Sequence, residues 1–318
     1  LNNKLKFFKL ESLLIIFCAI FIFFAGIIRI LNLEANSLLI LRNTIIRLIY
    51  WVPILYLILA ISYFGRYLRW RSLLNFFSIG GWNKDDAICW FKGFALTASP
   101  AKIGEISRVR TINKQLGYPQ KILLIVFFVE RLFDALSVLF WIIFLYPNFI
   151  KTNLQNLYKN SIILFLTFLS LIILIYLINR FKKTFKKNWI LVKKSSTEKE
   201  IIYLFIKNFF ISICFWGTEA MILWVLVYVL APESISQGSA IGIYLFSGMT
   251  GIISGVPGGI GINEVTTTIL LQREGVTNTL ALSISILRRL ITIWSITLLS
   301  ILLSIPIKKG NKKNFSKL

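Results

Sequence analysis

Several ionisable residues stand inside otherwise apolar stretches: Glu105, Glu130, Arg131, Asp134, Glu219, Glu264, Arg288 and Arg289. A lone charge at the centre of a bilayer costs at least about 2.5 to 3.5 kcal/mol. Such groups are expected to face one another or a wet cavity. Ion pairing accounts for part of the set, with Glu130 and Asp134 against Arg288 and Arg289 as the expected partners. The functional reading is a path for a lipid headgroup. Arg131, Arg288 or Arg289 would grip a phosphate through paired N–H donors. Amides at helix starts after Pro100 and around Asn263 would add to the grip. Glu105 and Glu264 would bind a cationic group or carry a proton.

Two glycine- and proline-bearing stretches must position these side chains. In Gly255-Val256-Pro257-Gly258-Gly259-Ile260-Gly261-Ile262-Asn263-Glu264, five of ten residues are Gly or Pro, which cannot hold a regular helix. At membrane depth, broken backbone is tolerated only where protein buries it or where it lines a cavity. An earlier copy reads Pro100-Ala101-Lys102-Ile103-Gly104-Glu105. Arg131-Leu132 follows its Pro by 31 residues, and Arg289-Leu290 follows Pro257 by 32. Ser99 before Pro100 reads as an N-cap with Pro at the first helical position. Glu105 and Arg108 then fall three apart on one helix face, as do Arg131 and Asp134 on the long helix beyond.

Composition sets the class. Of 318 residues, 57% are apolar and 15% charged, which makes this an all-α integral membrane protein. The net charge of +23 sits outside the apolar runs, as in cytoplasmic loops beside an anionic leaflet. This argues against nucleic acid as a partner. The chain has no His, which removes zinc and Ser-His-Asp chemistry. Cys18, Cys89 and Cys214 lie in apolar runs with no metal-binding spacing. Neither metal nor cofactor is implied.

In chain order, apolar runs lie at about 13–31, 44–64, 121–146, 161–178, 201–230 and 277–305, with Glu219 in the middle of the fifth. The run at 87–98 is short for a span, which needs about 20 residues. The Gly65-Arg66-Tyr67-Leu68-Arg69-Trp70-Arg71 segment reads as an interfacial anchor of interleaved Arg and Trp. Gly242, Gly248, Gly251 and Gly255 offer small surfaces for close helix packing. The basic 180–194 loop and both termini are expected inside. Segment 65–120 then starts and finishes inside, and segment 231–276 outside. Both would dip into the membrane from opposite faces, the arrangement of inverted-topology transporters. One transmembrane domain over residues 1–318 is expected, with repeats at about 65–180 and 231–307. The expected count is about six spans plus two re-entrant hairpins, or about eight full spans.

The segments Ser99-Pro-Ala-Lys-Ile-Gly-Glu105-x-x-Arg108, Glu130-Arg131-Leu-x-Asp134, Pro257-Gly-Gly-Ile-Gly-x-x-Glu264 and Arg289-Leu resemble the lysylphosphatidylglycerol synthase transmembrane-region family, also called flippase-like domain proteins. The likeness covers nearly the whole chain. Ala101 departs from the family's Pro-Gly in the first motif. The resemblance implies lipid translocation without the soluble aminoacyl-transferase domain that follows in some members, for which no room is expected after Leu318. The expected substrate is a phospholipid, glycolipid or isoprenoid-linked lipid, in a bacterial-type inner or plasma membrane. No nucleotide-binding motif is present, so movement would be downhill or coupled to an ion gradient, and no enzyme activity is expected. Two alternatives stand beside it: a non-transporting subunit that binds lipid or a partner enzyme of envelope synthesis, and a membrane-embedded transferase using Glu105 or Glu264 as base.

Overall fold

The computed structural model describes residues 46–81, 83–97, 99, 104–150 and 198–304. Pro100, the expected spans at 13–31 and 161–178, the 180–194 loop and the basic tail lie outside the described residues.

Every described element is helical. Helix α1, Val52–Phe76, starts with Pro in its first turn, where the missing N–H costs nothing. It runs 25 residues, straight through the segment expected as an interfacial anchor. Nothing between Gly65 and Phe76 breaks a helix, and Arg66, Arg69, Trp70 and Arg71 are buried. The anchor reading is therefore corrected: these arginines are held by carboxylates inside the protein.

The short apolar run forms a short helix and a tight turn. Helix α2, Lys84–Lys92, is capped by Asn83 and carries Asp85 and Asp86 in its first turn, which suits the helix dipole. It tightens into a 3-10 turn, Gly93–Leu96. Residues 104–106 form another tight turn, and α3, Ser107–Leu116, follows. This helix starts later than a Ser99 cap implies. Ser99 accepts instead from the Gly104 amide at 2.6 Å and closes the turn ahead of the helix. Gly117, with φ of 71°, ends α3.

Helix α4 covers Gln120–Ile150 and α5 covers Glu198–Leu230. Helix α6, Gln237–Ile253, is capped by Ser236. The broken stretch holds a 3-10 turn at Pro257–Gly259, then α7, Ile262–Arg273. Helix α8, Asn278–Arg289, passes through a π turn, Leu290–Trp294, into α9, Ser295–Ser304. The wide turn begins just after the arginine pair, and π turns recur at functional positions. Among the described residues, three stretches are long and apolar enough to cross a membrane: Val52–Phe76, Ile202–Leu230 and Asn278–Ser304.

Helix α1 packs along α5, and α5 also packs on α4 and α6. The contacts cross between halves. Helix α6, the first limb of the second broken element, packs on α4, while α2 and its 3-10 turn pack on α9. Inward faces join Leu55, Leu74, Trp90, Ile222, Leu223 and Leu226 in one core. Outward faces expose Leu57, Ile61, Phe64, Phe210, Leu298 and Leu302. A continuous apolar exterior of this kind suits hydrocarbon rather than water.

Candidate functional site

The first half builds a four-arginine, four-carboxylate network. Glu105 stands at the tight turn, where Thr97 Oγ1 donates to its Oε1 at 3.0 Å. Its Oε2 is 3.3 Å from Arg131 Nη1 on α4, and Arg131 Nη2 is 3.0 Å from Asp134 Oδ2. From α1, Arg69 Nη1 donates to Asp134 Oδ1 and to Ser212 Oγ, each at 2.8 Å. Trp216 Nε1 adds a second donor to Asp134 Oδ1 at 3.0 Å. Glu130 pairs with Arg108 of α3 and lies 3.9 Å from Arg69 Nη2. Glu219, in the middle of α5, pairs with Arg66 and accepts from Ser62 at 2.9 Å and Tyr244 at 2.7 Å.

Aromatic faces wall this network. The Arg66 guanidinium sits 4.4 Å from the Trp216 ring centroid, and that of Arg108 sits 4.8 Å from Trp70. Ring faces stabilise a desolvated cation that aliphatic walls would not. Arg131 is the most open arginine of the group, with 31% of its side chain exposed.

The second half is smaller. Glu264 Oε2 accepts from the Gly261 amide at 2.7 Å, and its Oε1 is 2.9 Å from Arg289 Nε. Arg289 Nη2 also donates to the Gly258 carbonyl at 2.6 Å, tying α8 to the broken turn. Arg288 donates to Ser247 Oγ of α6 at 3.0 Å and to Asn263 Oδ1 of α7. It lies 5.0 Å from the Tyr244 ring centroid. Tyr244 bonds Glu219, so a polar chain joins the two halves.

Backbone geometry makes the second site. Gly258, Gly259 and Gly261 have φ of 63°, 63° and 83°, a region costly for other residues. A Cβ on Gly259 would stand 2.8 Å from Gly251 Cα. The small-residue surface expected on α6 is therefore the seat of the turn after Pro257.

Glu130 and Asp134 do not meet Arg288 and Arg289, which corrects that expected pairing. Glu130 and Asp134 pair with first-half arginines, Arg289 pairs with Glu264, and Arg288 bonds Ser247 and Asn263. Nor does Glu105 pair with Arg108, since Glu105 turns to Arg131 and Arg108 to Glu130. The two glutamates matched by the repeated motif do behave alike: Glu105 meets Arg131, and Glu264 meets Arg289. In each half the carboxylate of the broken element binds the arginine of the long helix that follows.

Sequence reasoning missed Arg66, Arg69 and Arg71. Arg71 Nη1 lies 3.3 Å from Asp86, which also accepts from Tyr67 at 3.1 Å. Arg66 and Arg69 are one helical turn apart, beside Ser62 and Tyr63, with no Gly or Pro before Gly80. That unbroken helical spacing was the available signal. Ser247 and Asn263 carried no comparable mark.

A family described as Lysylphosphatidylglycerol synthase TM region matches residues 10–300. Among curated proteins, a UPF0104 membrane protein of Methanothermobacter thermautotrophicus strain Delta H is 33% identical over 96 residues, 30% of this chain. That match spans 28% of the relative's own length. No solved structure matches the chain.

Proposed function

The chain belongs to the Lysylphosphatidylglycerol synthase TM region family, and from that premise we propose that it carries a lipid headgroup across the bilayer between its two broken elements. One observation carries the reading: the same Glu–Arg pair occurs in both halves, as Glu105–Arg131 and Glu264–Arg289.

A phosphate oxygen makes the contacts that a carboxylate makes, with two or three donors from arginine and backbone amide. A headgroup can therefore take Arg131 or Arg289 from its glutamate. Breaking a buried pair outright costs about 3 to 5 kcal/mol, because it strands a charge. Exchanging one anion for another avoids most of that cost. The displaced glutamate then takes a proton or a cationic group. Alternate exchange at the two pairs releases first one broken element and then the other. The lipid tails stay in the bilayer and only the headgroup follows the polar chain through Tyr244. No covalent step is involved, so the protein is not an enzyme in this reading.

The two broken elements are repeats of opposite orientation, entering from opposite faces as in inverted-repeat transporters. Both termini lie on the cytoplasmic side of a plasma-type membrane. The crossed contacts support this arrangement, since each broken element packs on the long helix of the other half.

A second reading is a non-transporting subunit that binds lipid or a partner enzyme. The balanced first-half network favours it, because a fully paired cluster also serves as a rigid scaffold.

Proteoliposomes holding fluorescent phospholipid, bleached from outside, test the choice. Wild-type protein is expected to expose inner-leaflet lipid to bleaching. Glu264→Gln and Glu105→Gln are expected to stop it while the proteins still unfold cooperatively. Exchange at the wild-type rate by stable Glu264→Gln protein sinks the mechanism, and no exchange by wild type favours the subunit.

A further inference from the structure

The two broken elements use glycine in opposite ways. In and around the first, glycines are seats for other groups. A Cβ on Gly80 would stand 2.1 Å from the Tyr118 hydroxyl, one on Gly93 2.5 Å from Arg108 Cγ, and one on Gly104 2.6 Å from the Leu96 carbonyl oxygen. At the two ends of α7 the glycines are unobstructed. Gly261 and Gly275 have φ of 83° and 93°, and a Cβ on either meets nothing within 4 Å. Backbone there can rotate without displacing a neighbour.

The buried faces of the two second limbs differ in the same sense. Helix α3 buries Arg108, Val109 and Ile112. Arg108 pairs with Glu130 of α4, and Gln115 accepts from Cys89 of α2 at 2.9 Å. Helix α7 buries Asn263, Thr267, Thr268 and Leu271, so its buried face holds a single apolar side chain. Thr267 and Thr268 donate to carbonyls of their own helix, those of Asn263 and Glu264, each at 2.8 Å. The hydroxyls are thus satisfied without tying α7 to a neighbour. Arg288 and Arg289 hold only its first turn, at Asn263 and Glu264. Further along α7, Thr266 meets Thr250 of α6 at 3.3 Å. The outer face, with Ile262, Val265 and Ile269, is exposed.

We propose that α7 is the moving limb of this protein, parting from α6 with Gly261 and Gly275 as its joints, whereas α3 stays fixed on α2. The inference rests on the lipid-carrying reading for what the motion serves, and it says which element opens. Once the arginines release the first turn, little apolar surface holds the rest of α7, which is the condition for local opening. The turn after Pro257 stays seated on Gly251, where a Cβ on Gly259 would stand 2.8 Å from Gly251 Cα. Release of Glu105 from Arg131 frees only a side chain, because Arg108 with the buried Val109 and Ile112 still holds α3.

Thiol accessibility tests this without transport. Thr267 and Ile112 are both fully buried, one on each limb. With Ser in place of Cys18, Cys89 and Cys214, a small thiol reagent is expected to modify Thr267→Cys at least about tenfold faster than Ile112→Cys in proteoliposomes. Equal rates, or faster modification of Ile112→Cys, overturn the proposal. Locking the limbs tests the role of the motion. A disulfide between Thr250→Cys and Thr266→Cys, whose hydroxyls lie within reach of each other, is expected to stop lipid exchange until it is reduced. A short dithiol crosslinker from native Cys89 to Gln115→Cys, which pins α3 to α2, is expected to leave exchange at the wild-type rate. Exchange that survives the first lock overturns the proposal, as does exchange lost on the second. The labelling comparison decides the matter even if the disulfide does not form. Fast labelling of Thr267→Cys without lipid exchange by wild type refutes carriage and leaves the moving limb standing.

Discussion

Replacing Gly259 with Ala adds one methyl group at the tightest backbone contact of the second broken element. Two costs can be separated. The residue has φ of 63°, and holding a side chain there costs about 1 to 2 kcal/mol. The new Cβ would also stand 2.8 Å from Gly251 Cα and 3.1 Å from its carbonyl carbon and oxygen. Those atoms are backbone within α6 and cannot rotate away, so overpacking adds about 1 to 3 kcal/mol. Gly255 supplies the control. Its φ is 67°, but a Cβ there meets nothing within 4 Å, so Gly255→Ala bears the conformational cost alone. Thermal unfolding of both variants in one detergent is the assay. Gly259→Ala is expected to be destabilised by about 2 to 5 kcal/mol and Gly255→Ala by the smaller term. Lipid exchange by Gly259→Ala should fall with it, because Arg289 holds the Gly258 carbonyl beside the displaced turn. Equal stability of the two variants would refute the close approach of α6 and the turn.

Asp134→Asn keeps the shape but removes the charge held by Arg69 and Arg131 and the acceptor of Trp216. A loss of about 3 to 5 kcal/mol is expected, and a chemical-denaturation midpoint unchanged from wild type contradicts the pairing. The proposed orientation, with the basic loops inside, is tested by labelling: external thiol reagents should label Glu233→Cys and leave Lys187→Cys untouched. Labelling of the second from outside refutes the proposed topology and, with it, the proposed opposed entry of the broken elements.

Membrane class, element type and approximate boundaries were legible because they are local properties. An apolar run of about 20 residues spans as a helix wherever it stands. The expected 121–146, 201–230 and 277–305 lie close to the helices found, although Asn278–Ser304 contains a π turn. Gly and Pro after Gly255 announced broken backbone for an equally local reason. The matched spacing of Glu105 with Arg131 and Glu264 with Arg289 was also on the page, and both pairs form.

Partner choice was not legible. Arg66 and Arg69 follow an apolar run and read as an interfacial cluster, because the groups that hold them are 153 and 65 positions away. Arg288 and Arg289 are neighbours with the same chemistry, yet one pairs with Glu264 and the other with amide and hydroxyl. Only the rotation of α8 against α6 and α7 separates them. Local composition thus determined that this chain crosses a membrane, bends twice and carries charge within it. Tertiary packing decided which charges pair and gave Arg288 only neutral partners among the described residues, because ion-pair geometry depends on ångström-scale distances between helices far apart in sequence.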